Sequence, residues 1–233
     1  MARGKGNQAI VSFRAGGSTF GTANACGAGH GFYADKFKIS GGPKPIPDNR
    51  ITGAYSAKIG TSGPRSATVS FEAPLTYQGF ERAIGNFFGG INGSPTAVDT
   101  SAKQHVFKGV KDTKVVEAPS VQFNKLTLSA KMGDKVMLSM EGMADDVVFD
   151  SAVNTTTTID TVTVTADEQI PWQHLSFLMN DQTAGSLASA PIYLGGLELS
   201  LDRPLKENIT TERGNKSSLF IPGGFATGKL KVD

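Results

Sequence analysis

The stretch Ser66 to Gly90, SATVSFEAPLTYQGFERAIGNFFGG, limits what this chain can fold into more than any other. In its first part Ala67, Val69 and Phe71 alternate with Thr68, Ser70 and Glu72, which is the period of a strand with one buried face. After Pro74 the period changes. Phe80, Ala83, Ile84 and Phe87 recur at spacings of three and four and so share one stripe of a short helix. Thr76 offers an N-cap hydroxyl, and Gly89 with Gly90 offers a stop. A short helix with one apolar stripe cannot bury that stripe alone. The pattern therefore predicts a sheet on which the helix lies, with Phe80, Ala83, Ile84 and Phe87 as its core side.

The rest of the chain reads mainly as strands and turns. Val121 to Phe149 is the clearest hairpin: Val121, Phe123, Leu126 and Leu128 lead to a turn at Lys131 to Asp134, and Val136, Leu138, Met140 and Gly142 return. The slip in alternation between Phe123 and Leu126 predicts a bulge. Phe32 to Ser40, Arg50 to Gly60, Ile170 to Leu178, Ala190 to Leu201, Ser217 to Ile221 and Gly228 to Val232 are further strand candidates. Val106 to Val116 is basic and reads as a solvated strand or loop, and Gly89 to Thr100 and Asn208 to Gly214 read as links. Three prolines in Gly41 to Asp48 predict a surface loop, and Thr61 to Pro64 a turn. Met1 to Gly31, broken by eight glycines, reads as a mobile or partner-docked arm with little periodicity outside Ile10 to Arg14. The expected division is an arm over 1–31 and a single domain over 32–233.

Charge is divided along the chain. Residues 1–116 hold 14 Lys and Arg against 6 Asp and Glu, a balance of +8, and residues 117–233 hold 9 against 15, a balance of −6. Two accounts fit: charges scattered on a solvated surface, or copies meeting head to tail, positive part on negative part. No apolar run reaches the roughly 18 residues of a membrane span, and no apolar segment follows the basic residues at the start. The expectation is no membrane partner. Cys26 is the only cysteine, which rules out an intrachain disulfide and reads as a small packing residue in a Gly/Ala-rich stretch. The Asn-x-Ser/Thr sites at Asn92, Asn154, Asn208 and Asn215 read as products of a Thr- and Ser-rich composition.

The motifs of common chemistry are missing. Phe32 stands where the dinucleotide fingerprint needs the third glycine after Gly27 and Gly29, and no P-loop, Gly-x-Ser-x-Gly or His-Glu-x-x-His occurs. His30, His105 and His174 stand far apart with no cysteine nearby, which argues against zinc. Asp145, Asp146 and Asp150 lack the spaced ligands and closing glutamate of a calcium loop. Met132, Met137, Met140 and Met143 read as core or interface filler. The expectation is no catalytic residue, no cofactor and no metal: a non-enzyme built to associate with itself.

Several segments carry a resemblance. They are Ile51 to Gly63 running into Thr68-Val69-Ser70-Phe71-Glu72, Leu75-Thr76-Tyr77 before Gly79-Phe80-Glu81, and Ile84-Gly85. Lys125 to Ser129 with the returning Leu138 to Gly142, and Gly195 to Asp202, add to it. From about Phe37 to Gly228 the chain resembles the tail tube (major tail) proteins of long-tailed, non-contractile bacteriophages. That resemblance implies a mainly β fold: a β-sandwich or barrel with one flanking α-helix and long extended loops or arms. It also implies six-membered rings stacked into a hollow tube that delivers DNA, with a closed inner β-barrel made of strands from every subunit. The implied partners are further copies, tape-measure and tail-tip or terminator proteins, and DNA in passing. The implied place is the virion, after assembly in the host cytoplasm. A lumen that lets DNA slide should carry few basic groups, so Asp134, Glu141, Asp145 or Asp146 are expected at the channel or the next ring. The arm and the Gly41 to Asp48 loop are expected to be inter-ring joints, ordered only on docking. Members of the family often continue past the last strand, where this chain reaches Asp233. A type VI secretion-like tube and a virion-associated carbohydrate-binding β-sandwich are the other readings open at this stage.

Overall fold

The computed structural model describes residues 10–15, 21, 24–46, 61–88, 105–111, 114–149, 152–155, 157, 161–164, 168–178, 191–208, 219–222 and 226–232. Among them the chain is mainly β with one α-helix. The strands are β1 (Ile10–Ala15), β2 (Gly31–Tyr33), β3 (Lys36–Ile46), β4 (Thr61–Pro74), β5 (His105–Lys111), β6 (Lys114–Ala118), β7 (Gln122–Lys131), β8 (Met137–Ala144), β9 (Val148–Phe149), β10 (Gly196–Asp202), β11 (Leu205–Asn208), β12 (Leu219–Pro222) and β13 (Thr227–Val232). The helix, α1, is Glu81–Phe87.

Two antiparallel sheets enclose the core. One has the order β2-β1-β5-β6-β9 and the other β13-β10-β7-β8-β4-β3, with β11 and β12 as a separate pair. Their inner faces meet through aromatic rings: Phe32 lies 5.0 Å from Phe71 and 4.9 Å from Phe80, and Phe13 lies 5.4 Å from Phe123. Phe80, Ala83 and Phe87 of the helical segment are buried in the same cluster, and Ile84 packs on it half-buried. Burial of each such ring stabilises the fold by about 2–3 kcal/mol, so this junction of two sheets and a helix is the main source of cohesion.

The hairpin β7–β8 follows the alternation of its sequence, with a register shift between Phe123 and Lys125 where the slip predicts a bulge. The bulge needs Gly142 opposite it. A Cβ there would stand 2.5 Å from the Gln122 carbonyl oxygen and 2.9 Å from the Phe123 ring, closer than real contacts allow.

Five expectations are corrected. Residues 10–15, read as part of an arm, form β1 inside the five-stranded sheet between β2 and β5, with Val11 and Phe13 in the core. Their pairing partners on β5 lie far along the chain, Val11 opposite Gly109 and Ala15 opposite His105, beyond the reach of local periodicity. The proline-rich segment read as a loop continues β3 as far as Ile46, paired to β4 through a register shift between Pro43 and Pro45. Because β3 is an edge strand among the described residues, prolines there cost no described ladder bond on its outer side. Thr61 to Pro64, read as a turn, begins β4. The helix starts at Glu81, capped at Phe80 without a side-chain bond, and Thr76 Oγ1 donates to the Gln78 carbonyl oxygen within the preceding turn. Finally, Ile170 to Leu178 is no strand: Trp172–His174 is a single 3₁₀ turn flanked by isolated bridges at Pro171 and Phe177. Arg50 to Gly60, Gly89 to Thr100 and most of Asn208 to Gly214 lie outside the described residues.

Candidate assembly surface

Register decides what the outer face of the six-stranded sheet presents. Directly opposed residues share a face, and the ladder gives the row Lys36, Glu72, Ser139, Thr127, Ser200, Lys229 from β3 to β13. The next row on the same face is Lys38, Ser70, Glu141, Lys125, Asp202, Thr227. Between these rows lie Phe37, Phe71, Met140, Leu126 and Leu201, which point to the core. One face is thus polar, with Ser, Thr and charges of both signs, and the other is the apolar wall of the sandwich. On the polar face Lys36 Nζ lies 2.8 Å from Glu72 Oε2, and Lys125 Nζ lies 3.9 Å from Glu141 Oε2. The Lys36 ammonium is held above its usual range chiefly by the hydrogen bond it donates to the Glu72 carboxylate.

The two borders of this sheet, β3 and β13, have no further strand beside them among the described residues. On the core side of β13, Leu230 is 51% exposed and Val232 43% exposed, although they oppose Leu199 and Leu197 of β10. The apolar wall therefore runs past the sandwich to an open edge. Nearby, Trp172, Leu175, Phe177, Ile192, Tyr193 and Leu197 line an apolar groove of about 340 Å³. Tyr193 stands almost wholly in solvent at 94% exposure.

The four carboxylates singled out in the sequence fall into different places. Asp134 sits in the exposed β7–β8 turn, where its carbonyl oxygen accepts from Trp172 N at 2.9 Å and its Oδ1 from Lys135 N at 2.8 Å. Glu141 is exposed on the polar face beside Lys125. Asp146 pairs with Arg65 at 2.7 Å and accepts from Val147 N at 2.8 Å. Asp145 is 3% exposed and faces the interior, which corrects its expected place at a channel or ring contact. Its Oδ1 has no hydrogen-bond partner among the described residues, and a Cβ at Gly21 would stand 3.1 Å from its Oδ2. Burial, with smaller contributions from the charges of Asp146 and Glu117, pushes the Asp145 carboxyl up to about 7 against opposing backbone bonds.

Next to it lies a polar network absent from the sequence reading. Asn154 Nδ2 donates to Glu117 Oε2 and, at 3.0 Å, to the Asn24 carbonyl oxygen, and Asn154 Oδ1 accepts from Cys26 N at 2.9 Å. This ties the segment around Cys26 to β6. His30 Nδ1 accepts from Gly27 N at 2.9 Å, so the glycine loop closes on its own turn. Burial first, then Arg82 and Arg14, hold the His30 imidazole below its ordinary range. His174 Nδ1 meets the Tyr77 hydroxyl, which fastens the 3₁₀ turn to the segment before the helix. Among the described residues no three His, Cys, Asp or Glu side chains come together as a metal site would need. No described helix is long and apolar enough to cross a membrane.

Among the described residues the chain is a mainly β sandwich with one α-helix, a polar sheet face and two sheet borders without a further strand. The family model for phage tail tube proteins matches residues 8–233, and the chain belongs to that family. No curated protein matches it. Among solved structures the chain is similar to the sheath–tube complex of an extracellular contractile injection system, at 12% identity and TM-score 0.39, covering 63% of this chain and 90% of that one. It is similar also to the cap terminating the tube of the anti-feeding prophage, at 12% identity and TM-score 0.39, covering 63% of this chain and 89% of that one. The sheath/tube terminator of the same type of injection system follows at 13% identity and TM-score 0.37, covering 61% of this chain and 93% of that one.

Proposed function

We propose that this chain is a structural subunit that joins side by side into hexameric rings, stacked into the hollow tube of a phage tail through which DNA is delivered. The observation that carries this reading is the six-stranded sheet, whose one face is apolar and sandwiched, whose other face is polar, and whose two borders both lack a further described strand. Continuing such a sheet around a ring satisfies both borders and turns the polar faces toward one axis. The middle of that face, Thr127, Ser139, Ser200 and Ser70 with Glu72, Glu141 and Asp202 around Lys125, suits a sliding polyanion, and Lys36, Lys38, Lys229 and Lys231 stand at the two borders where subunits meet.

In this arrangement Asp134 and Asp146 stand at the ends of the β7–β8 hairpin and serve contacts between stacked rings, as the protruding β3–β4 ribbon does. The partners are further copies, a tape-measure protein inside the growing tube, and tip and terminator proteins at its ends. The working place is the virion, after assembly in the host cytoplasm. The reading holds whether or not a contractile sheath surrounds the tube. The test is electron microscopy with sedimentation of the purified protein, seeded with tube fragments where spontaneous assembly is slow. Rings or filaments of constant bore are the expected result; a compact monomer at every concentration, seeded or not, contradicts it.

A further inference from the structure

The two borders of the six-stranded sheet carry the same charge on the same face. On β3 these are Lys36 and Lys38, and on β13 Lys229 and Lys231, all exposed. Each border is built alike. One lysine opposes a glutamate within its own subunit, Lys36 with Glu72 and Lys231 with Glu198. The other opposes a serine, Lys38 with Ser70 and Lys229 with Ser200. Toward the core side the borders also match: Phe37 and Ile39 on β3, Leu230 and Val232 on β13.

β3 and β13 run in opposite directions, because five antiparallel pairings separate them. One copy's β13 can therefore extend the next copy's β3 as an ordinary antiparallel ladder with both faces continuous. On the core side that junction sets apolar residues beside apolar residues. On the polar side it sets lysines beside lysines, where like charges directly opposed destabilise the pair. Edge lysines are a common guard against unwanted strand pairing.

We infer that lateral closure joins β13 of one copy to β3 of a second copy, with the lysines of both borders gathered on the polar side of the seam as a charge gate that high ionic strength opens. This rests on the tube reading and adds the seam and its regulation. The sign is opposite to that of head-to-tail attraction between the basic and acidic parts of the chain, which salt weakens. Apolar edges draw the copies together, and like charge holds them apart until it is screened.

The test follows the threshold concentration for assembly of the full chain by pelleting and negative-stain microscopy. Between about 0.05 M and about 0.5 M NaCl the wild-type threshold should fall at least threefold or so, as screening shortens from about 14 Å to about 4 Å. Salt also strengthens apolar association, so the variant Lys38→Gln/Lys229→Gln separates the two effects. It should assemble at low salt at a threshold at least about threefold below wild type, with a flattened salt dependence. Lys38→Arg/Lys229→Arg should behave as wild type. Leu230→Asp, on the apolar side of an exposed edge, should raise the threshold while leaving thermal unfolding of the chain unchanged. Tubes whose threshold rises with salt, or is unmoved by the Gln pair, overturn the seam and leave the tube standing. A folded chain that forms no ring or filament in any variant or salt, seeded or not, overturns the tube reading and the seam with it.

Discussion

Asn86 and Phe123 join the helix to the bulge: Phe123 N donates to Asn86 Oδ1 at 2.8 Å, and Asn86 Nδ2 donates to the Val121 carbonyl oxygen at 3.2 Å. Both ends of the buried amide are thus engaged by the strand start that the bulge displaces. Asn86→Ala leaves a buried N–H and a buried carbonyl without these partners and opens space. The expected cost is about 2–4 kcal/mol, read as a lowered urea midpoint with little change in slope. Asn86→Asp keeps the acceptor and loses the donor, so it should also destabilise, and more so as the new carboxyl ionises with rising pH.

Arg203 acts at the same C-terminal end of the helix, one residue further on. It is buried, donates from Nη1 to the Phe87 carbonyl oxygen at 2.7 Å, and its backbone N donates to the Asn124 carbonyl oxygen at 2.7 Å. A guanidinium at a helix C-terminus satisfies a terminal carbonyl and suits its partial negative charge. Arg203→Met, similar in length, should cost about 1–3 kcal/mol by thermal or chemical unfolding. Arg203→Lys should recover only part of this, because a lysine cannot reproduce the planar donor set.

Much of this fold was legible in local patterns, and the misses share a cause. Period-two alternation around a Gly-Asp turn located β7 and β8, and even the bulge, because both strands bury one face against one core. The stripe Phe80, Ala83, Ile84, Phe87 located the helix for the same reason, though the turn at Thr76 to Gly79 delays its start. β1 escaped because its partner β5 is set by long-range pairing, and the Pro43 and Pro45 part of β3 because edge position is a property of the assembled sheet. The candidate surface was legible residue by residue, as Ser, Thr, Lys and Glu at alternate positions, yet its rows exist only once register is known. Asp145 and Asp146 are adjacent in sequence and opposite in fate, one buried and one paired with Arg65, since they follow the end of β8 where the chain turns between faces. Asn86, Arg203, Asn154 and Glu117 gave no signal, because a buried polar residue reads like a surface one until its partners are placed.

Asp145 gives the fold a pH dependence with a definite sign. Its folded value lies near 7 against an ordinary 3.8. Between these the folded chain binds a proton that the unfolded chain has released, so stability falls as pH rises from about 4 to about 7 and levels off above. Above pH 7 the ionised, buried carboxylate costs on the order of 3–4 kcal/mol relative to pH 4. Asp145→Asn should remove this slope: near-wild-type stability at about pH 4 or below and greater stability than wild type at about pH 8, by urea midpoints across the range. A wild-type profile that is flat or rising between pH 4 and 7, and unchanged by the substitution, would contradict the buried assignment.

In the proposed tube the six-stranded sheet is completed only by its neighbours, polar face inward. A cryo-electron-microscopy reconstruction of the assembled protein tests this most directly. The expected map has a closed inner barrel in which every β13 runs beside the next subunit's β3, with Thr127, Ser139, Glu141 and Ser200 facing the bore. A map in which those four residues face outward, or in which β3 and β13 end against solvent, would contradict it.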